Sequence, residues 1–168
     1  MKETTLTGNP DLVNPGFDCP PDNPLHLLQR WLKAAELLKV SEPRGLVLST
    51  VSNNGRPSSR VVLLKTADET GIIFTSSEES QKGKDIYANP IAAGTLWWRE
   101  TMQQVNFQGK VTRLTPDISD RVFKERPLEA QAIATLSLQS SPMKDEKILR
   151  EEISKLLSQP SSIVRPQT

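Results

Sequence analysis

From Gly45 to Leu114 the chain runs in short strand-like segments separated by turn residues, and this alternation restricts the possible folds more than any other feature. Gly45 to Ser52 leads into the turn signal Asn53-Asn54-Gly55. Ser59 to Thr66 follows, then a polar loop through Gly71 and a third segment from Ile72 to Ser76. Ser80 is placed to cap a short helix through Tyr87 that stops at Asn89-Pro90, after which Ile91 to Arg99 and Gln103 to Leu114 form another strand pair. Antiparallel strands joined by hairpins must hide their edges, so five of them predict a closed or nearly closed barrel.

Helices flank these strands. Asn23 can cap a helix with Pro24 at its first position, and Leu25, Leu28, Trp31 or Leu32, Ala35 and Leu38 recur at helical spacing until Pro43. Further helices are predicted from Thr115-Pro116 to about Glu125, from Leu128 to Leu138, and from Lys144 to Ser158. Five prolines between Pro10 and Pro24 exclude regular structure ahead of the first helix. The 168 residues suit one domain, read as a flexible arm over 1–22, a folded domain over 23–159 and a polar tail over 160–168.

Lys plus Arg number 21 against 20 Asp plus Glu, well scattered, so no field exists that would draw the chain to nucleic acid or a membrane. No apolar stretch reaches the length of a membrane span, and the polar start Met1-Lys2-Glu3-Thr4-Thr5 predicts a cytosolic, cytoplasmic protein. One cysteine, Cys19, and one histidine, His26, cannot make a disulfide, a Cys/His zinc site or a Ser-His-Asp triad. No side chain is assigned as catalytic and none as a metal ligand; an organic cofactor is expected to carry the chemistry.

Three places carry residues that a plain β core would not need. Arg60-Val61-Val62-Leu63-Leu64-Lys65 reads as a strand buried on both faces with a charge at each end. Because side chains alternate, Arg60 and Lys65 point to opposite faces of a flat strand, and only a long ligand could meet both. At the helix starting from Ser80, Lys82 puts a cation in the first turn, where the dipole alone prefers an anion. It is either an exposed lysine or half of a phosphate site. Gln103-Gln104 opens an apolar-alternating strand, so one amide must face inward. Trp97-Trp98, being adjacent, send one ring to the core and offer the other to an interface.

Taken in order, these segments resemble the pyridoxamine 5'-phosphate oxidase family. The likeness spans roughly Leu25 to Ser141 and rests on Arg60 to Lys65, Phe74-Thr75, Ser80-Gln81-Lys82, Gln104 and Gln139-Ser140. It implies an α+β fold: an antiparallel FMN-binding split β-barrel of Greek-key type with flanking helices. It also implies a homodimer with two FMN sites at the subunit interface. FMN is then expected to be bound by Arg60, Val61, Val62, Leu63, Leu64, Lys65, Phe74, Thr75, Ser80, Gln81, Lys82, Gln104, Gln139 and Ser140, with Arg60 and Lys82 on its phosphate.

Trp97-Trp98-Arg99-Glu100-Thr101 followed by the glutamine pair is most similar to the phenazine-biosynthesis branch of the family. That branch implies an FMN-dependent oxidase acting on a reduced, dihydro- to hexahydro-, phenazine carboxylic acid with O2 as acceptor. Lys65 and Arg126 would hold the carboxylate of this small aromatic substrate. The family's vitamin B6 enzymes hold a substrate phosphate with a Tyr and a Ser around an Arg-Pro pair; here Arg126-Pro127 is kept, but Val122 and Ala130 stand in those two places. The alternatives are a pyridoxamine or pyridoxine 5'-phosphate oxidase, and a flavin- or haem-binding module without turnover. Family members continue into further C-terminal strands that this sequence does not contain, which predicts a dimer holding FMN loosely.

Overall fold

Asn23 begins the first helix as its sequence predicts: in α1 (Pro24–Leu37) the Asn23 Oδ1 accepts the Leu25 N–H at 2.9 Å. The computed structural model describes residues 19–143 and 145–166, so most of the expected N-terminal arm, residues 1–18, lies outside the described residues. Two compact units make up the chain. The first runs to Ser76 and resumes over Ile91–Lys110; the second takes Ser77–Pro90 and the residues from Val111 onward.

The first unit holds α1 and five strands: β1 (Gly45–Val51), β2 (Pro57–Asp68), β3 (Gly71–Phe74), β4 (Ile91–Trp98) and β5 (Gln103–Lys110). They form one antiparallel sheet in the order β3-β2-β1-β4-β5. Gly55, at φ 79°, takes the left-handed turn that links β1 to β2. Leu46, Leu48, Val62, Leu64, Leu96 and Trp98 line the buried face, and Leu28, Trp31, Leu32 and Ala35 bury the inner stripe of α1. Each buried leucine contributes roughly 1.5–3 kcal/mol, which makes this face the main stabilising contribution of the sheet. Trp98 meets Trp31 edge to face, with centroids 6.4 Å apart, and donates its indole N–H to Pro43 O at 2.8 Å.

Two strand-level expectations need correction, but the architecture does not. The sheet is open, as a split barrel implies, and among the described residues β3 and β5 each have one neighbour. Its edges are blunted by other means, since β3 has four residues and β5 points Gln104, Asn106, Gln108 and Lys110 outward. The Arg60 to Lys65 run is buried on one face only, with Val61 70% and Leu63 48% exposed. Apolar residues on both faces of a strand show that both faces are apolar, and among the described residues Val62 and Leu64 are covered while Val61 and Leu63 are not. Finally, β5 ends at Lys110 rather than Leu114, because its partner strand begins at Ile91, directly after Pro90.

The second unit contains α2 (Gln81–Ala88), α3 (Pro116–Lys124), α4 (Leu128–Leu136), α5 (Glu146–Leu157) and a 3-10 turn at Pro160–Ser162. Lys144, expected to start α5, lies outside the described residues; Asp145 caps the helix by accepting from Lys147 N and Ile148 N. α4 packs against α5. The Val164–Arg165 segment braces α3 and α4, since Thr135 Oγ1 donates to Val164 O at 3.0 Å and Arg165 Nε pairs with Asp120 Oδ1 at 2.5 Å. Among the described residues no helix is long and apolar enough to cross a membrane.

Candidate functional site

The start of α2 gathers five residues, Ser80, Gln81, Lys82, Gln139 and Ser140, from two distant parts of the sequence. Ser80 is the N-cap: its Oγ accepts from Gly83 N at 3.3 Å and donates to Ser77 O at 2.6 Å. Gly83 is required here, because a Cβ on it would lie 2.2 Å from Glu78 O. The chain therefore passes tightly against the first turn just before the helix. Lys82 Nζ donates to Ser80 Oγ at 3.0 Å and to Gln139 Oε1 at 2.7 Å, while the Gln81 N–H donates to Ser140 Oγ at 3.1 Å. Ser140 sits in the left-handed region at φ 65°, uncommon for serine and frequent at functional corners.

Lys82 is only 9% exposed, which settles its choice between surface lysine and built cation. An ammonium desolvated this far must be met by acceptors, and Ser80 and Gln139 supply two neutral ones. Asp85, one turn further along, is fully buried and accepts from Gln81 Nε2 at 2.8 Å. A helix N-terminus, a positive amine and hydroxyls held in one place are groups of the kind that suit an anion. The family resemblance pointed to Ser80, Gln81, Lys82, Gln139 and Ser140; Gly83 and Asp85 were missed, Gly83 being marked only by the close approach of Glu78 and Asp85 only by its burial against Gln81.

In the first unit, Arg60 is gripped by its own sheet. Nη1 donates to Thr50 Oγ1 at 2.7 Å and to Leu48 O at 3.3 Å, and Nη2 to Ser58 Oγ at 2.6 Å. Thr50 and Ser58 also went unrecognised in the sequence: Thr50 meets Arg60 through the β1–β2 pairing, and Ser58 from two residues back on the same face of β2. The premise of a flat strand fails at Lys65. The ladder between β2 and β3 shifts register between Leu64 and Thr66, so Leu64 and Ala67, three apart, are both buried. Arg44 Nη1 holds the bulge by donating to Lys65 O at 2.8 Å. Phe74 pairs with Leu64 and is half-buried, as is Thr75 just beyond β3.

The glutamine pair divides by strand parity, one amide inward and one outward. Gln103 is buried, whereas Gln104 stands on the exposed face, directly across from Trp97. Trp98 takes the core and Trp97 remains partly exposed, as adjacency predicts. The exposed face of β1, β2 and β4 therefore presents Val47, Val61, Leu63 and Trp97 in one register, with Gln104 beside them.

Arg126 lies at the corner between α3 and α4, its guanidinium over the Phe123 ring at 5.8 Å. Burial draws its pKa below the ordinary arginine value, although it stays charged. Among the described residues no carboxylate forms an ion pair with it. A half-buried cation of this kind is suited to an anionic ligand. Val122 is buried and Ala130 half-buried on the flanking helices, and neither offers a hydrogen bond. His26, exposed and 3.1 Å from Glu69, and the exposed Cys19 belong to none of these clusters.

The pyridoxamine 5'-phosphate oxidase family profile matches residues 33–159. The chain belongs to the pyridoxamine 5'-phosphate oxidase family. Within that family it is 35% identical to dihydrophenazinedicarboxylate synthase of Pseudomonas chlororaphis, over 97% of this chain and 73% of the relative. It is 39% identical to the pyridoxine/pyridoxamine 5'-phosphate oxidase of Mannheimia succiniciproducens, over 86% of this chain and 69% of that one. The crystal structure of PhzG from Burkholderia lata 383 in complex with tetrahydrophenazine-1-carboxylic acid superposes with a TM-score of 0.87. It is 35% identical and covers 95% of this chain and 79% of its own. The split-barrel fold is shared with this family member.

Proposed function

We propose that the chain is an FMN-dependent oxidase that dehydrogenates a reduced phenazine carboxylic acid with O2 as final acceptor, working as a homodimer in the cytoplasm. The observation that carries this reading is the hydrogen-bonded cluster at the start of α2, where Lys82 and Gln81 meet Gln139 and Ser140 from a segment nearly sixty residues away, and which would serve as the phosphate site. The donors present fit FMN. Lys82, the α2 N-terminus and the hydroxyl-anchored Arg60 are the groups a phosphomonoester needs, and the exposed apolar face at Val61 and Leu63 suits an aromatic ring system. Val62, Leu64, Lys65, Phe74, Thr75, Gln81 and Gln104 complete the assignment. When bound, FMN supplies the two-electron acceptor for hydride removal.

The protein's part is binding and orientation. Arg126 and Lys65 hold the substrate carboxylate, each hydrogen bond to a charged group being worth about 1.5–3 kcal/mol. A substrate that becomes aromatic on losing hydride supplies much of its own driving force, so no strong general base is required. Similarity to the dihydrophenazinedicarboxylate synthases, and to a relative whose structure holds tetrahydrophenazine-1-carboxylic acid, supports the substrate class. Val122 and Ala130 oppose the vitamin B6 reading, because a site lacking those hydroxyls discriminates poorly in favour of a phosphorylated substrate.

The test begins with a visible spectrum of the purified protein reconstituted with FMN, followed by oxygen-uptake assays. Turnover of tetrahydrophenazine-1-carboxylic acid well above that of pyridoxine 5'-phosphate is expected. Val122→Tyr with Ala130→Ser should then raise pyridoxine 5'-phosphate turnover more than that of the phenazine. Preference of the unaltered chain for pyridoxine 5'-phosphate would overturn the substrate assignment, and flavin binding without turnover of either would overturn the enzyme.

A further inference from the structure

Arg126 sits at a corner that backbone hydrogen bonds alone leave incomplete. α3 ends at Lys124 with Glu125 as its C-cap, and the last carbonyls of a helix need donors from beyond its end. Arg126 N serves Phe123 O at 3.1 Å, but the next residue, Pro127, has no N–H to give. The missing donors come from a side chain. Gln131, on the first turns of α4 and only 8% exposed, donates Nε2 to Arg126 O at 2.8 Å and to Lys124 O at 3.3 Å. Gln131 is itself anchored, its N–H on Pro127 O at 3.0 Å and its carbonyl accepting from Thr135 Oγ1 at 2.9 Å.

We propose that Gln131 is a positioning residue that fixes the Arg126–Pro127 peptide and so aims the Arg126 guanidinium at the substrate carboxylate. This rests on the reading of Arg126 given above. A polar side chain buried on a mainly apolar helix is costly unless it is satisfied, and both hydrogens of this amide group point the cost back to one corner. Binding the Arg126 carbonyl orients the peptide plane from which the Arg126 side chain departs. Phe123 then supports the guanidinium from one side. Loss of the amide frees the corner without removing the cation. Its effect should therefore fall on capture of the anionic substrate, leaving flavin binding, which uses other residues, unchanged.

The experiment compares Gln131→Met, which keeps length and volume but has no donor, with Arg126→Gln and with the double variant, all as FMN-loaded enzyme acting on tetrahydrophenazine-1-carboxylic acid. Gln131→Met is expected to raise KM roughly tenfold, with kcat changed by less than about threefold and FMN affinity unchanged. The double variant should be no worse than Arg126→Gln alone, because the two residues act as one unit. Gln131→Glu, which has the same shape with an acceptor in place of the donor, is the second variant and should raise KM at least as much. A lowered melting temperature with unchanged KM, or additive effects in the double variant, would overturn the positioning role. Arg126→Gln leaving KM unchanged would instead sink the assignment of Arg126 to the substrate.

Discussion

Lys82 shows how a residue can be legible by name and illegible by environment. Its order after Ser80 and Gln81 marked it, but its burial depends on Gln139, which no local pattern joins to it. Replacing Lys82 by Met is expected to weaken FMN binding by about 1.5–3 kcal/mol, between ten- and a hundred-fold, when followed by quenching of flavin fluorescence. Unchanged affinity would remove Lys82 from the phosphate site. Arg60 was legible in the same way, while its cross-strand partner Thr50 was not, because such a partner is defined only by register. Gln104 and Gln103 differ by one step of strand parity, and nothing in two adjacent glutamines states which will be buried.

Among the elements, lengths and order were read well and irregularities were not. α1, α2 and the hairpin strands follow caps, prolines and turn residues that act locally. The bulge at Lys65 arises from pairing with β3 and leaves no local trace. The tight passage before α2 supplies a sharp test. Gly83→Ala would force a Cβ against the Glu78 backbone, which cannot swing aside as a side chain would. A loss of roughly 1–3 kcal/mol or more is expected by chemical denaturation, together with weaker FMN binding. An unperturbed variant would show that this passage is loose.

The turn after β2 carries a pH signature. The Thr70 hydroxyl, and after it the Thr70 N–H, hold the Asp68 carboxylate below its ordinary value of 3.8. A carboxylate lowered on folding stabilises fully above its unfolded pKa and loses that contribution as pH falls through the folded one. The stability gap between the parent and Asp68→Asn should therefore narrow as acid is added below about pH 4. A gap independent of pH would contradict this.

At the scale of the whole molecule, the exposed sheet face decides what the protein does in company. Val47, Val61, Leu63 and Trp97 form an apolar surface of the kind that marks an interface, and the homodimer proposed above would cover it. Val47→Glu, placing a charge between Val61 and Thr95, is expected to give a monomer by light scattering; a persistent dimer would move the interface elsewhere. This face was the part of the fold least accessible to sequence reasoning. A run such as Val61 to Leu64 looks the same whether its second face is covered by its own chain or by another.

The blunted edges of the sheet set the form that any self-association takes. A four-residue β3 and a β5 lined by Gln104, Asn106, Gln108 and Lys110 offer poor templates for an added strand, whereas the sheet face presents Val47, Val61, Leu63 and Trp97. In a two-fold pair each copy would cover that face of the other with its own. The proposed homodimer would then be a closed unit, with no long open edge from which a ladder of strands could lengthen.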